Sequence, residues 1–287
     1  MHPALQLKQL LSSGRIVQAP GAYDALSARL VERAGFEAVY MTGFGATASR
    51  LGQPDIGLLT QTEMTGHARD MVRAVSVPVI ADADTGYGGP SNIERTLHEY
   101  VQAGVAAIHL EDQLAPKRCG QMAGIKLMDA RENERRLRCA LAARGDAPLL
   151  VIGRTDALPA AGIDEAVARA RRYQDAGVDL VFVDGIKRIA EVEAVARAVP
   201  GPKVVSIVDG NETVALTAAD LQAMGFSIVF YAVTALFTAA RAVEQAMRAL
   251  RERGTPADVP AMSYADFSDV VGLPHHQRLD ESFGAST

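Results

Sequence analysis

The chain has 287 residues, enough for one large domain or two small ones, and 48% of them are hydrophobic. Aromatic residues make up only 5% and Trp is absent, so the interior must be built from Ala, Val, Leu and Ile, which favours an α/β fold. A net charge of -5 excludes the basic face that nucleic-acid binding requires, and two cysteines exclude a disulfide framework.

Met1 to Ser13 reads as a short amphipathic helix, with Leu5, Leu7, Leu10 and Leu11 apolar. It lacks the basic start and long apolar core of a signal peptide, so the expected location is cytoplasmic. One phrase then recurs: a helix closes on a small residue and Gly, and an apolar strand follows at once. Examples are RAGFEAVYM at Arg33, QAGVAAIHL at Gln102, DAGVDLVFV at Asp175 and AMGFSIVFY at Ala223. Gly just past a helix end is the usual left-handed cap.

The expected strands are Ile16 to Gln18, Ala38 to Met41, Val77 to Ala81, Ala106 to Leu110, Leu149 to Gly153, Leu180 to Val183, Val204 to Val208 and Ile228 to Tyr231. Eight strands, each followed by helix-forming sequence, fit a (β/α)8 barrel or an open doubly wound sheet. The polar residues at strand ends decide for the TIM barrel: Asp24, Thr42, Asp82 with Asp84, Glu111 with Asp112, Arg154 with Asp156, Asp184, Ser206 with Asp209, and Tyr231. A barrel gathers all of these round one mouth. The run Phe226 to Ala240 is broken by polar residues and is too short for a membrane span, so no membrane role is expected. No linker divides the chain before Arg253 to Pro260, so residues 1–287 read as one domain, with 261–287 as a packing segment too poor in apolar residues to fold alone.

The chemistry concentrates in VPVIADADTGYGG, Val77 to Gly89. Strand alternation places Asp82 and Asp84 on one face at a strand end, and two hard oxygen ligands suit Mg2+ or Mn2+. Asp55 is either a Pro-Asp turn or an acceptor for metal-bound water. Thr42, Gly43, Phe44 and Gly45 form a turn whose N–H groups can hold a carboxylate. In HLED, neighbouring residues point oppositely, and Glu111 is taken as the inward one.

PKRCGQMAG, Pro116 to Gly124, sets two cations beside a thiol and two glycines. It is an exposed basic loop or a lid that closes over an anion, its cations lowering the pKa of Cys119. Arg154 follows a strand too apolar for a surface position and needs a carboxylate partner, with Asp156 orienting it. Cys139 reads as helix packing. No histidine is assigned a role, His109 included, because its phase is uncertain.

Taken together, Tyr-x-Thr-Gly, Pro-Asp, Asp-x-Asp-x-Gly-Tyr-Gly, Glu-Asp-Gln, Lys-Arg-Cys-Gly and Gly-Arg-Thr-Asp-Ala resemble the isocitrate lyase/phosphoenolpyruvate mutase superfamily, from Gly14 to Phe283. Lys-Arg-Cys-Gly is similar to its lyase branch. The resemblance implies a (β/α)8 barrel whose last helix is exchanged between subunits, usually in a homotetramer. It implies that Asp82 and Asp84 hold Mg2+, with Glu111 and Asp55 on its waters. Tyr40, Thr42, Gly43 and Phe44 would bind the oxo-acid half of the substrate. Gly120, Asp184 and Ser206 would line the rest, Arg154 would clamp a carboxylate, and Lys117 and Cys119 would lie on the lid.

The implied chemistry is retro-aldol cleavage of a 2-hydroxy di- or tricarboxylate to pyruvate or glyoxylate, with Cys119 protonating the other fragment. The resemblance leaves open an oxaloacetate decarboxylase, a phosphonopyruvate hydrolase or mutase, and a non-catalytic dicarboxylate binder. The chain departs from the family at Gln121 (usually His), Asp184 (usually Glu), Ser206 (usually Asn), Val214 and Ala232 (usually Pro). These departures alter the half of the site that holds the carboxylic acid, pointing away from isocitrate toward a 2-alkylmalate-like or 2-methylisocitrate-like substrate.

Overall fold

Gly35, Gly104, Gly177 and Gly225, the glycines of the recurring phrase, all take a positive φ, at 91°, 83°, 96° and 85°. That conformation costs a residue with a Cβ and lets each helix stop abruptly before its strand. In the computed structural model, which describes residues 1–284, the strands are β1 (Val17–Ala22), β2 (Val39–Met41), β3 (Val79–Asp82), β4 (Ala107–Glu111), β5 (Leu150–Thr155), β6 (Leu180–Val183), β7 (Lys203–Ile207) and β8 (Ile228–Tyr231). All pair in parallel and in chain order, and β1 pairs with β8 to close the barrel. An open sheet is thereby excluded.

The helices are α1 (Pro3–Ser12), α2 (Ala25–Arg33), α3 (Gly43–Leu51), α4 (Gln61–Ala74), α5 (Pro90–Ala103), α6 (Ala130–Arg144), α7 (Ala157–Ala161), α8 (Ile163–Asp175), α9 (Ile189–Ala198), α10 (Ala218–Ala223), α11 (Thr234–Arg253), α12 (Tyr264–Val270) and α13 (Leu273–Phe283). Alternation along the strands divides the apolar side chains into two layers. Val79, Ala81, Ile108, Val151 and Val205 face the helices, whereas Tyr40, Ile80, Ile152, Phe182 and Phe230 fill the barrel. Ala4 and Leu7 of α1 join the inner layer with no exposed surface, so the N-terminal helix seals the end of the barrel opposite the mouth.

One expectation changes here. Asp24 is not a mouth residue: it caps α2, accepting from the Ser27 N–H at 2.7 Å while the Ser27 hydroxyl accepts from its own N–H at 3.0 Å. Within the C-terminal segment, α12 packs on this chain's own α2, burying Val270 and placing its carbonyl 3.3 Å from Arg29. α11 and α13 bury no residue. No helix among the described residues is long and apolar enough to cross a membrane.

Candidate active site

Strand register builds the floor of the site. Asp82 on β3 lies opposite His109 on β4, and Glu111 on β4 lies opposite Arg154 on β5. Glu111 faces into the barrel as expected, and Asp112 faces the helices. There Asp112 accepts from the Thr155 hydroxyl (2.7 Å), the Asp156 N–H (2.9 Å), Arg169 (3.1 Å) and the Tyr173 hydroxyl (2.7 Å). Asp112 therefore ties β4 to β5 and α8 from behind.

The same alternation that turns Glu111 inward turns His109 inward, a signal the sequence reading did not use. Its Nε2 lies 3.0 Å from the Tyr40 hydroxyl, and its Nδ1 lies 3.6 Å from Asp82. Burial lowers its pKa to about 4 despite Asp82, so the ring is neutral near pH 7. With Tyr40, Phe182 and Phe230 it forms an aromatic layer under the carboxylates, Tyr40 stacking on Phe230 at 4.0 Å.

Asp82 and Asp84 meet for a reason other than strand alternation. β3 ends at Asp82, and Asp84 sits in a turn with φ 46°, its N–H donating to Asp82 Oδ1 at 2.9 Å. Asp55 is buried rather than part of an exposed turn, and Lys117 lies between the two acids, 2.7 Å from Asp55 and 2.6 Å from Asp84. Burial works against the Lys117 ammonium, but Asp84, Glu111, Asp55 and Asp82 outweigh it and hold its pKa well above the usual value. Burial raises the pKa of Asp84 to about 6, with Asp82 and Asp55 adding to it against Lys117. For Asp82 the balance reverses: burial is outweighed by His109, Lys117 and Arg154, and its pKa falls to about 2.

Arg154 spreads its planar fork over three acids. It bonds Asp156 through both Nε (3.2 Å) and Nη2 (2.8 Å), and Nη2 also lies 2.7 Å from Asp184 and 3.3 Å from Glu111. Asp156 does orient it. Glu111 is close enough for charge attraction, yet neither of its buried oxygens makes an aligned hydrogen bond.

The loop after β4 lies down across the mouth as a lid. The Gln113 amide bonds the backbone of Arg118 at both ends (2.7 and 2.9 Å), and the Cys119 N–H donates to the Asp55 carbonyl at 3.1 Å. Beneath the lid is a chamber of about 100 Å3 lined by Tyr40, Thr42, Phe44, Asp55, Asp82, Cys119, Gln121, Arg154, Asp184 and Ser206, with Phe182, Val208, Ala232, Val233 and Phe237 as its apolar wall. Gly120 has no room for a side chain, because a Cβ there would collide with Asp184. A larger cavity of about 470 Å3 is lined by Thr60, Asp84, Thr85, Asn92, Thr96 and Lys117 among others, and the Lys117 ion pairs join Asp84 of its wall to Asp55 of the chamber.

Two sequence readings are corrected by this geometry. Thr42 to Gly45 is not a free turn: Thr42 caps α3, accepting from the Gly45 N–H at 3.3 Å, and Gly43 and Phe44 open the helix. The result is a helix N-terminus at the chamber, which also favours anions. The thiol of Cys119 is not activated by its neighbours either. Burial pushes its pKa up to about 12, and Asp184 and Asp55 add to the rise. Lys117 is turned down to the carboxylates, and Arg118 is exposed. Asp209 and Val214 are exposed and outside the chamber, Asp209 accepting from Thr234 at 2.8 Å. Tyr231 bonds Gln18, also outside it. Cys139 is half-buried against the helix layer.

Among the described residues, no three His, Cys, Asp or Glu side chains are grouped closely enough to hold an ion by themselves. Mg2+ does not require such a cage, since it usually keeps several waters and binds through one or two carboxylates. The donor set fits that mode: all-oxygen acids at Asp82 and Asp84, with two unpartnered oxygens on Glu111 to accept from ion-bound water.

A closed eight-stranded barrel with acids, an arginine and a thiol gathered at the C-terminal mouth is the arrangement of a TIM-barrel enzyme. The phosphoenolpyruvate phosphomutase family matches residues 7–251. A 2,3-dimethylmalate lyase of Eubacterium barkeri is 40% identical over 285 residues, covering 99% of each chain. A 2-methylisocitrate lyase of Aeropyrum pernix is 37% identical, covering 97% of this chain and 90% of that one.

Among solved structures, an oxaloacetate acetylhydrolase with 3,3-difluorooxalacetate superposes with a TM-score of 0.94 at 34% identity, covering 100% of this chain and 98% of that one. A 2,3-dimethylmalate lyase gives 0.93 at 39%, covering 99% and 96%. A phosphonopyruvate hydrolase with oxalate and Mg2+ gives 0.89 at 31%, covering 99% of each. The chain belongs to the phosphoenolpyruvate mutase/isocitrate lyase superfamily, within its branch of carbon–carbon lyases.

Proposed function

We propose that this protein is a Mg2+- or Mn2+-dependent lyase that cleaves a 2-hydroxy di- or tricarboxylate, 2-alkylmalate-like or 2-methylisocitrate-like, into pyruvate or glyoxylate and a carboxylic acid. The observation that carries this reading is the place of Cys119, which the lid holds against a chamber that Arg154 and Asp82 also line. A divalent ion at Asp82 and Asp84, with Glu111 and Asp55 on its waters, would draw electron density from the substrate's hydroxyl and adjacent carboxylate.

The residues of the chain supply the rest. The first N–H groups of α3, at Gly43 and Phe44, with Tyr40 and Thr42 beside them, receive the oxo-acid end. Arg154 clamps a carboxylate of the substrate. The hydroxyl proton passes to the acid cluster, the C2–C3 bond breaks with its electron pair going to C3, and the Cys119 thiol delivers its proton to that carbon. A thiol suits this task because it is still protonated near pH 7, where an ordinary carboxylic acid is ionised.

The test is oxo-acid release from 2,3-dimethylmalate, citramalate, 2-methylisocitrate and isocitrate, with Mg2+ and with chelator, alongside oxaloacetate and phosphonopyruvate. Release of pyruvate or glyoxylate from a hydroxy acid, abolished by chelator, is the expected result. Turnover of oxaloacetate or phosphonopyruvate alone would replace this reading with a decarboxylase or a phosphorus–carbon enzyme. Binding without any product would make the protein a dicarboxylate binder.

We also propose that the protein assembles as a homotetramer by exchange of a C-terminal helix. α11 supports this, since none of its residues is buried while Val243 and Met247 are 57% and 54% exposed.

A further inference from the structure

Four of the five residues from Asp84 to Gly88 stand at positive φ: Asp84 at 46°, Gly86 at 78°, Tyr87 at 60° and Gly88 at 145°. Asp84 and Tyr87 carry side chains that this conformation disfavours, and such a run persists only where its surroundings over-determine it. The carbonyls show what does so. Tyr100 of α5 donates to the Asp82 carbonyl at 2.8 Å, and Thr96 of the same helix donates to that of Gly86 at 3.3 Å. The Gly86 N–H donates to the Ala83 carbonyl at 2.9 Å, and the Glu111 N–H to that of Asp84 at 3.0 Å. Thr85 and Gly88 are both held by one side chain from a different helix, Arg136 of α6. Its Nη2 donates to the Thr85 carbonyl and its Nη1 to the Gly88 carbonyl at 2.8 Å.

A guanidinium presents its N–H groups in a fixed planar fork, so a single arginine sets the separation of two carbonyls as well as gripping each. With its own carbonyl held by Glu111 and the next one by Arg136, Asp84 is fixed in place relative to Asp82 at the end of β3. The rigidity of an oxygen site discriminates between ions. Mg2+ demands near-ideal octahedral geometry at about 2.0–2.1 Å, whereas Ca2+ accepts longer contacts of about 2.3–2.6 Å in flexible arrangements. A turn that fixes one carboxylate against another favours the smaller ion, and a turn that yields favours the larger.

We propose that Arg136 is a positioning residue that sets the ion preference of the Asp82 and Asp84 pair: by clamping Thr85 and Gly88 it holds Asp84 in the geometry Mg2+ requires and denies the play that Ca2+ would use. This rests on the reading of Asp82 and Asp84 as holding a divalent ion. It goes beyond that reading by assigning selectivity to a residue of the helix layer whose hydrogen bonds go to the turn. Arg138, two residues along the same helix, supplies the control: it pairs with Glu134 and donates to the Asp175 carbonyl instead.

The test reads ion binding and not turnover. Mn2+ is titrated into the full chain after stripping with chelator, its free signal is followed by EPR, and it is then displaced with Mg2+ and separately with Ca2+. Arg136→Met should weaken Mg2+ by about 10- to 100-fold, the range for residues that orient metal ligands from behind, and leave Ca2+ within about threefold. Arg136→Lys keeps the charge but is a point donor that cannot fix both carbonyls in one plane, and its Mg2+/Ca2+ ratio should fall between those of wild type and Arg136→Met. Arg138→Met should keep the wild-type ratio.

A merely structural role for Arg136 would weaken both ions alike. Equal losses in Arg136→Met, an unchanged Mg2+ affinity, or the same shift in Arg138→Met would overturn the assignment and leave the ion site standing. If Arg136→Met does not fold, the ratio in Arg136→Lys decides on the same terms. If the wild-type chain retains no divalent ion, the ion site itself falls and the role of Arg136 with it.

Discussion

Cys119 has Lys117 and Arg118 as near neighbours in sequence, yet its thiol is harder to ionise than a free one, with a pKa raised from 9.0 to about 12. Sequence adjacency misled because Lys117 spends its charge on Asp55 and Asp84, and burial then dominates. Alkylation of Cys119 by iodoacetamide in the folded protein should therefore keep accelerating with pH beyond the range where an ordinary thiol has levelled off. The linked stability effect has a defined sign. Between the unfolded and folded values the unfolded chain releases the proton and the folded chain keeps it, so this group lowers stability as pH rises above about 9. Cys119→Ser should cut turnover by about 10²- to 10⁴-fold, the range for a general acid, and leave oxalate binding intact in a calorimetric titration. His109 shows what was legible and unused. Counting back two residues from Glu111 along β4 already placed it inside the barrel.

At the level of elements, Asp112 illustrates how the scaffold holds the chemistry. Its carboxylate gathers Thr155, Asp156, Arg169 and Tyr173, and Asp156 in turn grips Arg154. Asp112→Ala should destabilise the fold by about 3–5 kcal/mol in urea unfolding, the cost of leaving a buried charge partner uncompensated. The strands were legible to within two residues at every end except that of β1, which runs farther to Ala22, because apolar runs bounded by Gly and Pro have few alternatives in an α/β chain. Two local details were not. Thr42 begins a helix because its hydroxyl caps Gly45, and Asp84 turns back through a left-handed conformation onto Asp82. Both depend on one hydrogen bond within three residues, which hydrophobic periodicity does not register. The lid was legible as a loop with a thiol, but its latches, Asp55 on Cys119 and Asn211 and Lys187 on Gln121, join residues far apart in sequence.

For the whole molecule, the barrel was readable from eight polar strand ends, although Asp24, Asp209 and Tyr231 proved to do other work. Lys117 and Arg154 are each surrounded by acids at the mouth of the barrel, Asp55 and Asp84 for the one and Glu111, Asp156 and Asp184 for the other. An apolar groove of about 680 Å3 between α2 and α11, lined by Leu30, Val31, Phe36, Ala235 and Ala239 among others, is the surface on which helix exchange would act. Light scattering should give a tetramer for the native chain, and the double substitution Val243→Asp with Met247→Asp should shift it to smaller species; a native monomer would remove the exchange proposal.

The seal made by α1 has a temporal side. Ala4 and Leu7 share their cluster with Ile228 and Phe230, and β1 needs β8 as its second neighbour. The residues of α1 therefore cannot be seated until β8, more than 200 residues later in the sequence, has emerged from the ribosome. While the strands between them are made, the nascent chain carries the apolar face of α1 and an open β1 edge, and the barrel locks only once β8 is available.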